Sequence, residues 1–491
     1  MDEESPCEPL PGDADDTDAP DDHDDADHDV SDHDAPDDLN DSGHDVSDEP
    51  ARWARVDWYV CLGLLAMSVL LVGMHTSAYE TLSPIDELQH VDYMIRAGEF
   101  DIPRKNERVE FQAMDEAACR SVDAPGYEGP PCGLPEYDPA WFQEQGFNTS
   151  AGQFPPYYVV TGVSARVLTS IGVFDSKVTA ARMLGAVWLA AAWAVTWYVM
   201  ALLDIRRRHR LLVIGLLAVT PLTIFHAGAT VNADVSLMLG GALAVLATIK
   251  YESGRLRWWW LALAYTALFF VEATSILAIA AGAAYLIVRR ALDASRPWSM
   301  RLAPLITVPW LYLLRLEIGP WVHRTLFPAA DPADTGGRVG NAPMFMNHYT
   351  TEVSLEKVLA QVPSTFTPVS NPYFSPPLRS QLTITATQLT NWLLIALLFA
   401  AAFVFVSRPA MAWWSRVVMA ALLTAGPFYT FYFAYFSSSD FAAPSRFALP
   451  LVPLMAVAAA GAIKTRAVEF VTAAVLAVTG ANTLYQLVTA L

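Results

Sequence analysis

The first 50 residues contain no lysine, no arginine and no aromatic side chain. They carry 22 aspartates and glutamates instead, so like charge repels along the segment and nothing apolar is there to bury. That composition excludes a packed domain, and it excludes a signal peptide, which opens with positive charge and a short apolar core. Residues 1–50 therefore read as a disordered acidic tail. Its His-Asp steps at His23, His28, His33 and His44 offer loose divalent-cation binding as an alternative to plain solvation. The chain also lacks a phosphate-binding GxxxxGK[ST] loop, an HExxH zinc motif, paired CxxC motifs and a GxSxG nucleophile elbow. Transport driven by ATP hydrolysis within this chain, and metalloprotease chemistry, are disfavoured by those absences. No basic patch suits nucleic acid: beyond the tail, 29 acids face 31 bases, so the body is nearly neutral although the whole chain carries −20.

What the chain has in quantity is apolar sequence. It is 53% hydrophobic over 491 residues, with a mean hydropathy of +0.29. Many runs approach the roughly 20 residues that cross a bilayer. The fold class is an all-α polytopic membrane protein in a lipid bilayer. Spans are expected at about 56–74, 178–203, 211–227, 235–250, 303–318, 385–406, 417–436, 447–463 and 467–488. The long stretch 258–290 is broken by Glu272 and reads as two more. Short basic clusters mark the cytoplasmic side. "DIRRRHR", "RLR", Arg289 with Arg290, "SRP" and "KTR" then all fall inside. The outcome is eleven spans, with the N-terminus cytoplasmic, the C-terminus outside the cytoplasm, and the protein in the cell membrane. Residues 51–491 make one transmembrane domain with two large extracytoplasmic loops, 78–154 and 320–383. The segment 155–172, opening on Pro155 and Pro156, reads as an interfacial or re-entrant helix. Cys119 and Cys132 lie close together in the first loop, and a disulfide is expected there if that loop is extracytoplasmic.

Candidate chemistry gathers on the expected outer face. "SPIDELQHVDYMIR", residues 83–96, follows the first span and holds Asp86, Glu87, His90 and Asp92. On a helix Asp86 and His90 stand at i, i+4 and Glu87 and His90 at i, i+3. Asp86 and Glu87 suit a general base, or a divalent cation such as Mg or Mn set against a phosphate. The structural alternative is a helix start with Ser83 as N-cap, Pro84 at the first position and the acids in the first turn. "VNADV" has the same two readings: Asn232 as a cap and Asp234 in a first turn, or both in a site. Arg446 opens a very apolar span, where it suits a lipid-linked phosphate or serves as an interfacial anchor. Glu272, His323, Arg324 and His348 complete the outer polar inventory.

These segments resemble, in order, the motifs of a bacterial polytopic family of unassigned function related to GT-C glycosyltransferases. "SPIDELQHVDYM" is similar to its P-D-E-x-x-H opening, "QFPPYYVV" to H-P-P-L-Y-Y, "TVNADVS" to S-V-N-x-D, and "APSRFALPLVP" to Q-G-R-Y-L-L-P. The resemblance spans residue 56 to the end. It implies a GT-C-like bundle of about eleven helices that uses a polyprenyl-phosphate sugar as donor. In that frame Asp86 is the catalytic base with Glu87 beside it. His90, Pro155, Pro156, Tyr157, Tyr158, Asn232 and Asp234 border the substrate, and Arg446 meets the donor phosphate. Gln153 or Phe154 stands where the family has His before the prolines, and Pro444-Ser445 replaces Gln-Gly. The expected function is sugar transfer to a glycan, lipid or protein of the cell envelope. The competing readings are a transporter or flippase of lipid-linked sugars, and a noncatalytic scaffold whose tail recruits a cytoplasmic partner.

Overall fold

A computed structural model describes residues 55–124, 126–293, 295, 298–314, 325, 354–369, 375–404, 409–437 and 444–491. The tail, His323, Arg324, His348 and most of the expected second loop lie outside that set. Two units are distinguished, Met1–Asp48 and Glu49–Leu491, and every described residue belongs to the second. Among the described residues all regular structure is helical; the only extended pairings are isolated bridges, Leu82 with Val122 and Arg108 with Phe147.

Among the described residues, seven helical segments are long and apolar enough to cross a membrane: Arg55–Ala78 (α1), Lys177–Leu202 (α5), Ala233–Glu252 (containing α8, Leu237–Glu252), Ala273–Leu292 (containing α10, Ile276–Leu292), Gln381–Val404, Ser445–Ala462 and Arg466–Ala490. An eighth is reached if α6 (Arg207–Ala218) and Pro221–Ala229, bent by 72°, count as one span. The expected count of eleven spans is not confirmed among the described residues. Pro221 interrupts the third expected span, since a proline cannot continue the hydrogen-bond ladder of the preceding turn. The fifth, α9 (Trp258–Val271), has 14 residues, about 21 Å of helix, short of a hydrocarbon core. The seventh, α11 (Ser299–Leu313), carries Pro304 and Pro309 inside it. The break at Glu272 falls where expected: Glu272 ends α9 and caps a 3-10 turn leading into α10.

The segment between α1 and α5 is a folded cap. It holds α2 (Glu87–Ala97), α3 (Phe111–Arg120), three 3-10 turns and α4 (Pro156–Ser170), and a disulfide joins Cys119 to Cys132 with Cα atoms 4.4 Å apart. Leu88, Val91, Tyr93, Met94, Phe142, Tyr157 and Tyr158 pack its interior against Val178 and Ala181 of α5 and against Val231 and Val235. A separate apolar core lies along the bundle, where Trp193 and Trp197 of α5 are fully buried. Two glycines set the approach of elements that bear polar groups. A side chain at Gly162 of α4 would overlap the carbonyl of Met94 in α2. A side chain at Gly241 of α8 would overlap the carbonyl of Pro450, in the 3-10 segment Ser445–Leu451. Thus α2 lies on α4, and the Arg446 segment lies on α8, at backbone contact.

Candidate functional site

The sequence "LSPIDEL" does not begin its helix at Ser83. The helix α2 starts at Glu87, and Asp86 is its N-cap in the left-handed region, φ 55° and ψ 15°. Aspartate tolerates that conformation better than most residues, and such backbone persists only where the surroundings impose it. Here they do. On one side the Pro84 carbonyl accepts the Gln143 side-chain amide, 3.1 Å away. On the other, Glu87 is pinned: Oε2 accepts from Ser83 N at 2.6 Å and from Arg182 Nη2 at 2.8 Å, and Oε1 accepts from Arg182 Nε and from Val231 N, each at 2.9 Å. Arg182 spends its remaining donors on the carbonyls of Tyr79 and Thr81. Both charges are sealed from solvent, at 0% and 1% exposure.

This corrects the expected pairing of Asp86 and Glu87. Glu87 has four donors on two oxygens and no exposure left, so it is neither a base nor a cation ligand. It is the counter-ion of Arg182, which holds the turn, α5 and the Val231 strand-like segment together. Asp86 is left on its own, half-buried, and no described residue hydrogen-bonds its carboxylate. Among the described residues, no three His, Cys, Asp or Glu side chains converge as a metal site. The donor set therefore does not fit a carboxylate-held Mg or Mn.

The charge that acts on Asp86 is that of Arg446. Arg446 Nε donates to Asp234 Oδ2 at 3.0 Å, and the guanidinium lies 5.4 Å from the Phe447 ring centroid. Its charge acts on Asp86, Asp234, His90 and His226. Only Nε is engaged by a described residue, so the two terminal nitrogens remain for an anion. Asp234 is placed by Asn232, whose side-chain oxygen accepts the Asp234 backbone N–H at 3.0 Å, as a cap should. Burial lifts the Asp86 carboxyl above the usual carboxylate range, and the Arg446 guanidinium opposes that rise.

The α4 segment supplies a hydrogen-bond chain. Pro155 is the N-cap and Pro156 the first residue of α4, so their roles are to start the helix and aim the two tyrosines. Tyr157 meets the backbone of Asn232. The Tyr158 hydroxyl donates to Gln153 Oε1 and lies 2.6 Å from His90 Nδ1, while its ring stacks on Tyr93 at 3.9 Å. With the one Tyr158 hydrogen assigned to Gln153 Oε1, His90 Nδ1 is assigned as the donor to Tyr158, and Ser150 Oγ lies 3.3 Å from the same nitrogen. The lone pair of His90 is then on Nε2. Burial, aided by Arg446, drives the His90 pKa down to about 3, so the imidazole is neutral at physiological pH. Gln153, at the position where the resembled family has His, thus fixes a histidine tautomer from across the site.

Four segments expected to act together do meet. Asp86 and His90, Tyr157 and Tyr158, Asn232 and Asp234, and Arg446 come from four separate stretches of the chain. Sequence reasoning overlooked Arg182, His75 and His226. His75 is fully buried, with Nε2 at 2.6 Å from Ser375 Oγ and Nδ1 unpartnered among the described residues. The available signal was a lone ionisable residue inside each apolar run. Comparison with known proteins returns no match for this chain, whether against family models, curated proteins or solved structures.

Proposed function

We propose that the protein is a membrane glycosyltransferase that moves a sugar from a polyprenyl-phosphate donor to an extracytoplasmic acceptor, with inversion at the anomeric carbon. The observation that carries this reading is a carboxylate, Asp86, with no described hydrogen-bond partner, under the charge of an arginine, Arg446, whose two terminal nitrogens also have no described partner. Arg446 binds the donor phosphate through its terminal nitrogens, and Asp234 orients it through Nε. Asp86 takes the proton from the acceptor hydroxyl as that oxygen bonds to the anomeric carbon. The bond from that carbon to the phosphate oxygen breaks, and polyprenyl phosphate departs with the electron pair beside Arg446. The Cys119–Cys132 disulfide supports an oxidising compartment for this face, hence a cytoplasmic N-terminus. Purified protein in lipid, given a panel of polyprenyl-phosphate sugars, should release or transfer sugar, and Asp86→Ala should not. Turnover in Asp86→Ala equal to wild type would overturn the assignment.

One observation favours a transporter or flippase instead. Broken helices flank the site: α9 and α10 part at Glu272, and the 72° bend after α6 leads to the turn bearing His226. Discontinuous helices are how secondary transporters build binding sites. Movement of a labelled lipid-linked sugar across vesicles, undiminished in Asp86→Ala, is the result that reading expects.

A further inference from the structure

A second charged site lies away from Asp86, where α6 and the last helix, Arg466–Ala490, begin side by side. Residues 204–210 and 464–469 hold six cations, Arg206, Arg207, Arg208, Arg210, Lys464 and Arg466, against two carboxylates, Asp204 and Glu469. Asp57 of α1 adds a third, 3.3 Å from Arg207. The first turn of α6 contains no acid. Its arginines therefore stand at the positive end of a helix dipole, where cations are disfavoured and an anion is stabilised. The last helix also opens on an arginine, Arg466, with Glu469 as the acid of its first turn.

Between the two helices runs an open groove of about 570 Å³. Arg208 and Arg466 stand at its head, and Leu211, Phe470 and Leu476 line its wall. Phe470 is 74% exposed and Leu211 48%, an apolar surface suited to acyl chains and not to water. Glu469 sits in the groove and holds Arg208 Nε at 3.2 Å, which steers that guanidinium and leaves Arg466 without a described ion-pair partner. A cationic head with an apolar wall, beside a last helix long and apolar enough to cross the bilayer, complements the chemistry of an anionic phospholipid.

We infer that the groove between α6 and the last helix is a binding site for an anionic phospholipid, its phosphate held by Arg208 and Arg466 and its chains laid along Leu211, Phe470 and Leu476. The site is independent of any sugar-transfer activity. The test uses the full chain in nanodiscs of phosphatidylcholine with and without phosphatidylglycerol. Retained lipid is counted by native mass spectrometry after detergent extraction, and affinity is read by titration. Wild type should retain phosphatidylglycerol over phosphatidylcholine. Arg208→Gln with Arg466→Gln should weaken that preference about fivefold for each arginine removed, while Arg257→Gln, at another basic turn, should leave it unchanged. Circular dichroism establishes that each variant is folded. Equal retention by wild type and the double variant, or equal loss in Arg257→Gln, would overturn the inference. So would inorganic phosphate displacing the lipid at comparable concentration, because the apolar wall would then contribute nothing.

Discussion

The molecule contains two buried arginine–carboxylate pairs near the same turn, Arg182 with Glu87 and Arg446 with Asp234. In the first, all three guanidinium nitrogens have partners and both Glu87 oxygens accept twice. Neither residue is exposed. In the second, a single 3.0 Å bond joins the residues, and their side chains are 13% and 9% exposed. The same two chemical groups thus do different work. A saturated pair has nothing left to offer a ligand and acts as a rivet between the cap and the bundle. In the unsaturated pair the carboxylate orients the cation through Nε alone, and its terminal nitrogens have no described partner. The adjacent acids Asp86 and Glu87 divide the same way, one belonging to each pair's surroundings.

This contrast can be broken experimentally, first at the rivet. Arg182→Met leaves Glu87 charged and buried, and loss of one partner of such a pair costs about 3–5 kcal/mol. Little folded protein should be recovered, and what remains should unfold at a markedly lower temperature; a variant that melts like wild type would remove the structural assignment. Next in size is Asp86→Asn. It should lower transfer by about 10²–10⁴-fold, the usual contribution of a general base, with an unfolding temperature within a degree or so of wild type. Arg446→Gln should follow, weakening donor binding by about tenfold or more, as loss of a charge-assisted contact does.

Arg446→Gln also carries a sign in pH. The base works ionised, so activity falls as pH drops through the Asp86 pKa. Burial has already lifted that pKa, and Arg446 opposes the lift. Removing the guanidinium should move the acid limb of the pH–rate profile to higher pH. A limb that stays in place would separate Arg446 from Asp86. The smallest expected effect is Tyr158→Phe. It removes the nearer of two partners of His90 Nδ1, leaving Ser150 Oγ at 3.3 Å, and with it one hydrogen bond of about 1 kcal/mol, and should reduce turnover about fivefold without changing expression. Nitrogen chemical shifts of His90 should report a change of tautomer in that variant.

How the helices run was open to reading in the chain itself. Glu272 marks a break because a charge inside "FFVEATS" cannot sit in hydrocarbon, and Pro155-Pro156 marks a helix start because proline lacks the N–H that the first turn does not use. The number of crossings was not open in the same way. Hydropathy treats 211–227 as one run, whereas Pro221 and the close packing around Gly228 bend it. The alternative start of α2 at Ser83 does not hold, although Ser83, Pro84 and two acids form a good local cap. Arg182 pulls Glu87 95 residues back along the chain, and that long-range bond outweighs the local preference.

Composition and order alone determined that this is a membrane protein with an acidic tail, a long polar loop after the first span, and four polar segments set among apolar ones. Those properties follow from short-range physics: transfer free energy, like-charge repulsion and helix punctuation. Which acid is free and which is bound, which nitrogen of His90 carries the proton, and which arginine keeps donors for a ligand were decided only in three dimensions. Each depends on counting hydrogen bonds between residues dozens to hundreds of positions apart, and no local pattern encodes that count.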